Sequence, residues 1–392
     1  QTLESKIITI KPDSNENLRK VAKTAMSGTS AEAGGDLMAD LVVNAAQLAA
    51  GERNGHLHIS TEDVRMAKRG VGSIGDSRLI AGLIIEKRLD LDRLPKSLEA
   101  GKVVVLSCPL EIESTVRDVE IEVDNPEKWV AFMDIEEERL QKKAQQIINS
   151  GANLVFTAEG VEPRILHRLV DEGIFVLGNL EKSGAEDIAL ATGAQMIDHL
   201  DDISNEALGN FTQLTIETLE GAEGRRERIH LLVGKQTGIA TIDVGGGDGV
   251  ASEEVIRGLY DALCSVTSAM ETGEVLTGAG SLHMAAALAI KEAAENQSGR
   301  ERLSMEAFAR ALESIPATLG ENAGGNRLDC LLELRSLHRA GNSEAGILRD
   351  GKAGTIDEAL ASAETVSHAI EAACETACGL LRVDQVISAR GD

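Results

Sequence analysis

The chain has 392 residues, room for two or three domains with ample core. Hydrophobic residues make up 43%, which argues against a disordered chain. With 64 acidic residues against 39 basic ones the net charge is −25, which disfavours nucleic-acid binding, because that requires clustered cations, and suits solubility in strong salt, the expectation for a halophilic source.

In chain order, the first 70 residues read as helical, with "ENLRKVAKTAM" and "LMADLVVNAAQLAA" carrying apolar residues at helical spacing. From about 100 to 244 short β-rich runs appear: "KVVVLS", "VEIEV", "NLVFTA", "IFVLGNL", "RIHLLVG" and "ATIDV". Helical stretches such as "EPRILHRLVDEG" and "SGAEDIALATG" separate them, the pattern of an α/β layer domain. Asn125 suits an N-cap and Pro126 the first helical position, so a helix is expected from there to a stop at Gly151. Trp129, the single tryptophan, lines up with Phe132, Met133 and Leu140 on one stripe of that helix, which reads either as core or as an exposed patch for binding other proteins. After residue 250 the pattern is helical to the end. The fold class is therefore multidomain α/β, with one α/β module inserted between two helical flanks that pack together.

Chemistry-bearing motifs are few. "TIDVGGGDGVASEEV" follows a strand but fails the dinucleotide fingerprint, since Val250 stands where its last glycine would be; a turn or hinge is the plainer reading, and a dinucleotide-dependent enzyme ranks last. Asp261 sits among Leu259, Ala262 and Leu263, and partial burial of that carboxylate is expected. Gly278 and Gly280 lead into a helix whose N-terminus could accept a phosphate or be only a helix start. The eight histidines and five cysteines show no metal spacing, so no metal site is assigned to protein side chains. Cys374 and Cys378, one turn apart, are expected to be buried thiols of a cytoplasmic, reducing compartment. No apolar run reaches membrane length and no secretory leader is recognisable.

Several long segments together resemble a group II chaperonin, the archaeal thermosome and eukaryotic CCT family. They are "CPLEIESTVRDVEIEVDNPEKWVAFMDIEEE", "AFARALESIPATLGENAG", "RGLYDAL" followed by "GEVLTGAGS", and "LLRVDQVI". The resemblance spans essentially the whole chain. It implies an intermediate domain split over 1–76 and 238–277, an apical, client-binding domain over 77–237, and an equatorial part over 278–392. It makes 124–150 a helical protrusion of the lid, with Trp129, Phe132 and Met133 exposed to clients. It implies ATP and Mg²⁺ as cofactors, Asp261 as the group that activates the attacking water, and Gly278 and Gly280 beside the nucleotide. Unfolded proteins and other chaperonin subunits in a double ring are the implied partners, with neither nucleic acid nor membrane. The departures are specific. Thr29 in "SGTSAE" replaces the family's phosphate-sensing lysine, and Ala279 interrupts its triple glycine. The family's Gly-Asp-Gly-Thr-Thr phosphate loop has no counterpart and Gln1 stands first, so a subunit lacking its first equatorial segment is expected. The alternative is a diverged paralogue that binds clients or partners without nucleotide.

Overall fold

The computed structural model describes residues 3–53, 55–89, 91, 93–111, 126–221, 224–234, 238–247 and 249–383. The chain divides into two compact units, the inserted Glu62–Ser252 and the flanks Gln1–Thr61 with Glu253–Asp392.

The first flank opens with β1 (Ile8–Thr9), α1 (Asn15–Met26) and α2 (Gly35–Ala49). α1 buries Leu18, Val21, Ala22 and Met26, the 3- and 4-residue spacing that gives a helix one apolar side. A hairpin of β2 (Gly51–Arg53) and β3 (His56–His58) follows, so the first 70 residues are not wholly helical. His58 Nδ1 and the Ile59 amide both reach Glu271 Oε1, at 3.0 and 2.7 Å.

The inserted unit contains β4 (Val64–Lys68), β5 (Arg78–Ile80), β6 (Gly82–Glu86), β7 (Ser97–Leu106), α3 (Pro126–Ser150), β8 (Leu154–Thr157), α4 (Pro163–Asp171), β9 (Phe175–Leu177), α5 (Lys182–Thr192), β10 (Met196–Ile197), β11 (Gly209–Gly221), β12 (Gly224–Leu232) and β13 (Ala240–Val244). The main sheet runs β6-β12-β11-β7-β8-β9, with β10 also on β7. The β7–β8–β9 pairs are parallel and the β7–β11–β12–β6 pairs antiparallel. Alternate residues of β7 face opposite sides, as a pleated strand dictates. Val103 and Val105 pack on one side with Phe156, Phe175 and the α5 residues Ala185 and Ile188. Val104 and Leu106 pack on the other with Leu140, Ala144 and Ile147 of α3 and Ile165, Leu166 and Leu169 of α4. The result is a helix–sheet–helix sandwich. The run "VEIEV" and the expected cap Asn125 lie outside the described residues.

A second sheet, β4-β13-β5, adjoins the first within this unit. The chain crosses from β5 into β6 at Gly82, where φ is 151° and a Cβ would lie 2.0 Å from the Leu231 carbonyl oxygen, so only glycine fits. Asp243 of β13 is fully buried and Arg228 of β12 is 1% exposed. Their side chains meet at 2.8 Å, and Arg78 Nε donates to the same carboxylate at 3.1 Å. Arg69 and Arg78 also hold Glu217, each at 2.6 Å, and His230 stands 3.0 Å from it.

The second flank comprises α6 (Val250–Thr272), β14 (Glu274–Thr277), α7 (Ser281–Glu295), α8 (Gly299–Asn322), α9 (Arg327–Arg339), β15 (Ala345–Ile347), β16 (Ala353–Thr355), β17 (Leu360–Ser362) and α10 (Ala363–Leu381). The two flanks join in one sheet, β1-β14-β17, which carries the register Ile8↔Val275 and Val275↔Ser362. These short strands correct the expectation of helix to the end; two or three residues in a row leave no period to read. Glu313 of α8 is 3% exposed and is gripped by Lys291 of α7 at 2.5 Å and by both ends of Arg335 of α9 at 2.7 and 2.6 Å, so one carboxylate ties three helices. Cys374 and Cys378 are exposed on α10, not buried as their helical spacing suggested, because every residue of α10 from 371 onward faces solvent. Cys330 is the buried thiol, donating to the Gly351 carbonyl.

Candidate functional site

Both units of the structure carry residues singled out in the sequence. In the flank unit, β14 runs into a turn, Gly278-Ala279-Gly280, from which α7 starts. The Gly278 amide donates to the Ala359 carbonyl at 2.9 Å, tying the turn to the approach of β17. Gly280 has φ 77°, and a Cβ there would sit 2.6 Å from Cβ of Pro316. Glycine is thus required twice over, by backbone and by space. Ala279 has φ 53°, a left-handed conformation in which Cβ crowds the following carbonyl. Its carbonyl accepts from the Ile347 amide at 2.9 Å, which holds the strained residue in place. Beside this turn a cleft of about 220 Å³ is lined by Lys6, Thr277, Ser281, Ser343 and Glu344. That is smaller than the ~300–1,000 Å³ of a typical ligand pocket.

Asp261 lies midway along α6 and is exposed, which corrects the expectation of partial burial. Its apolar neighbours Leu259, Ala262 and Leu263 turn inward, fully buried, and a carboxylate on the opposite face of the helix turns out. One turn before Asp261, Gly258 runs against Thr29, whose hydroxyl would be 2.6 Å from an added Cβ. Thr29 Oγ1 donates to the Met26 carbonyl at 2.7 Å and accepts from the Ala31 amide at 3.3 Å. It caps the short 3₁₀ turn Ser30–Gly34. Position 29 therefore has a structural task in this chain, which the sequence reading, alert only to a missing lysine, did not see. Farther along α6, Ser268 shares a hydrogen bond with Ser362 at 2.8 Å, and Ser362 pairs with Val275 two residues ahead of Thr277. This chain of contacts ties α6 to the sheet that presents the glycine turn.

The second place is α3 in the inserted unit. Its later half is anchored: Leu140, Ala144 and Ile147 are 1%, 2% and 0% exposed. Its earlier half is not: Val130, Met133 and Ile135 are 57%, 40% and 53% exposed. The stripe read from the sequence thus splits, with Leu140 in the core and Met133 in solvent. Trp129 and Phe132 lie on the same half of the helix; their side chains fall outside the described residues. Sequence reasoning passed over Val130 and Ile135 because it followed the aromatics. Apolar residues that fall off the core-facing stripe were the available signal.

The inserted unit thus carries a half-anchored helix with exposed apolar residues, and the flank unit a strained glycine turn and an exposed acid. A profile of the TCP-1/cpn60 chaperonin family matches residues 1–391. Thermosome subunit beta of Archaeoglobus fulgidus is 36% identical over 387 residues, covering 98% of this chain and 70% of that protein. Thermosome subunit 1 of Haloferax volcanii is 34% identical over 394 residues, 99% of this chain and 69% of that one. Among solved structures, the open-state monomer of a group II chaperonin from Methanococcoides burtonii superposes with a TM-score of 0.65 at 31% identity, covering 97% of this chain and 89% of that chain. The chain belongs to the TCP-1/cpn60 chaperonin family, as a subunit of the group II branch.

Proposed function

We propose that this chain works in an ATP-driven cycle that encloses unfolded protein, with α3 as part of the lid and client surface and the α6–α7 region as its share of the nucleotide site. The inserted unit corresponds on this reading to the apical domain and the flanks to the intermediate and equatorial parts, in a ring of like subunits, a double ring in the intact assembly. The observation that carries the reading is the unburied apolar set Val130, Met133 and Ile135 on a half-anchored helix. Solvent-facing apolar side chains on a half-anchored helix suit capture of exposed hydrophobic polypeptide. The acidic surface suits a cytoplasm of high salt, where mutual repulsion is screened.

The residues present fit part of what ATP with Mg²⁺ requires. ATP supplies the phosphoryl bond whose hydrolysis drives the cycle. Asp261 is exposed and so open to a water, and the left-handed turn Gly278-Ala279-Gly280 brings backbone close without side chains at two of its three positions. Thr29 is the misfit, since a hydroxyl that caps its own turn brings no positive charge to a phosphate. The same two departures, Thr29 and Ala279, favour the second reading, a binding subunit that holds clients without turning over nucleotide.

ATPase measurement on the assembled protein separates the two. On the first reading turnover is present and Asp261→Ala lowers it by ~10²–10⁴-fold, the usual share of a general base. Turnover absent in the parent and gained on Thr29→Lys supports the second. Turnover that survives Asp261→Ala overturns the assignment of Asp261.

A further inference from the structure

The geometry points to Arg164 as the strut that sets the direction of the free half of α3, a positioning residue for the lid and client surface. The role in capture rests on the function proposed above; the strut itself does not.

The argument begins with where α3 leaves the core. Burial starts at Leu140, and the last exposed apolar residue before it is Ile135. Between them stand Glu136, Glu137, Glu138 and Arg139. Arg164, on the first turn of α4, reaches into this boundary and spends its whole guanidinium there. Nη2 donates to Glu136 Oε1 at 3.2 Å, Nη1 to Glu137 Oε2 at 3.2 Å, and Nε to Glu162 Oε1 at 3.1 Å. Three carboxylates on one planar fork fix the angle between the elements that bear them, which a single point charge would not.

Each end of the strut is itself braced. At the base, Pro163 opens α4, and the Glu162 amide donates to the Leu110 carbonyl at 3.1 Å. Below it, Ile165, Leu166 and Leu169 of α4 are buried in the same core as Leu140. At the tip, Gln141 Nε2 donates to Glu137 Oε1 at 2.8 Å, which leaves the other oxygen aimed at Arg164. One turn further on, Lys143 Nζ donates to the Glu111 carbonyl at 2.8 Å and holds the anchored half in turn. Without Arg164, Glu136 and Glu137 would lose the cation that joins α3 to α4 at the point where the helix loses its support. With it, the helix stays continuous through the boundary and its free half keeps the direction of the anchored half.

The full chain supplies its own reporter. Trp129 is the only tryptophan and lies on the free half of α3. Two variants remove the contact from opposite ends, Arg164→Met on α4 and the double change Glu136→Gln with Glu137→Gln on α3. Either should lower the steady-state anisotropy of Trp129 and speed amide exchange over 131–139 by about two- to fivefold, the range expected of an ion-pair network at a surface. Exchange over 140–150 and in β7 to β9 should stay as in the parent. Unchanged anisotropy and exchange in both variants, or equal loosening of the whole inserted unit, overturns the proposal. Capture of a urea-denatured protein is scored beside these. If α3 loosens and capture falls, both readings stand. If α3 loosens and capture holds, the strut stands and the client role of this helix fails. If α3 does not loosen, the strut fails whatever capture does.

Discussion

Ala279, set between two glycines, is a residue that incurs backbone strain. A left-handed alanine costs ~1–2 kcal/mol, and glycine in its place gives back part of that through a freer unfolded chain. Ala279→Gly should therefore stabilise the protein by roughly 0.5–1 kcal/mol in urea unfolding. A loss of stability would mean that the Ala279 methyl makes packing contacts that outweigh its backbone. At this scale the sequence showed the identity of the departures but not their cause. Thr29 read as a missing charge, whereas in the structure its hydroxyl closes a turn under Gly258. Asp261 read as half-buried because its sequence neighbours are apolar, and one helical rotation undoes that inference. The pair Gly278 and Gly280 was legible as special, and the structure supplies the reasons: an amide tied to Ala359 and a backbone pressed on Pro316.

At the level of elements, strong periodicity was readable and short or long-range pairing was not. α1, α4, α5 and the buried strands β7, β8, β9 and β13 fall where their hydrophobic patterns predict. β11 escaped notice: "GNFTQLTIETLEG" mixes polar residues through the strand, and it is ordered by partners on both edges, β7 and β12, not by its own pattern. A segment 79–233 omits β13, and with it Asp243, the carboxylate that meets the buried Arg228 at 2.8 Å. Removing one partner of a buried pair costs ~3–5 kcal/mol. The prediction is that 62–252 unfolds cooperatively on its own, while 79–233 is less stable by about that amount or fails to fold. Equal urea midpoints for the two segments would show that Asp243 contributes little.

Across the whole molecule, one buried and two half-buried histidines make acid the condition to which the fold responds. Burial pushes His283 down, and pushes His230 down together with the positive field of Arg78 against the pull of Glu217. Burial does the same to His338, partly offset by the Ala345 carbonyl. Each is depressed below the ordinary 6.5 in the folded chain. Above that pH both states hold these rings neutral and stability is full. As pH falls below it the unfolded chain takes up protons that the folded chain refuses, and stability drops. A second loss begins below the ordinary 4.5 of a glutamate. Burial alone would raise Glu217 and Glu313, but Arg78 and Arg69 hold the first down and Arg335 and Lys291 the second. The melting temperature should be level from pH 8 to about 7 and fall between about 6.5 and 5. His230→Gln should flatten the upper part of that fall. A melting temperature that rises toward pH 5 would contradict the assignment of neutral, buried rings.

The bare end of α10 has a practical consequence for anyone handling the protein. Cys374 and Cys378 share one face a turn apart, and the Cys374 thiol is pushed up chiefly by its neighbour Cys378. Both thiols stand in solvent, open to alkylation and oxidation. A maleimide dye added in limited amount should attach on this helix before it reaches the buried Cys330. Left in air without reductant, the same helix is where two chains would be stitched together.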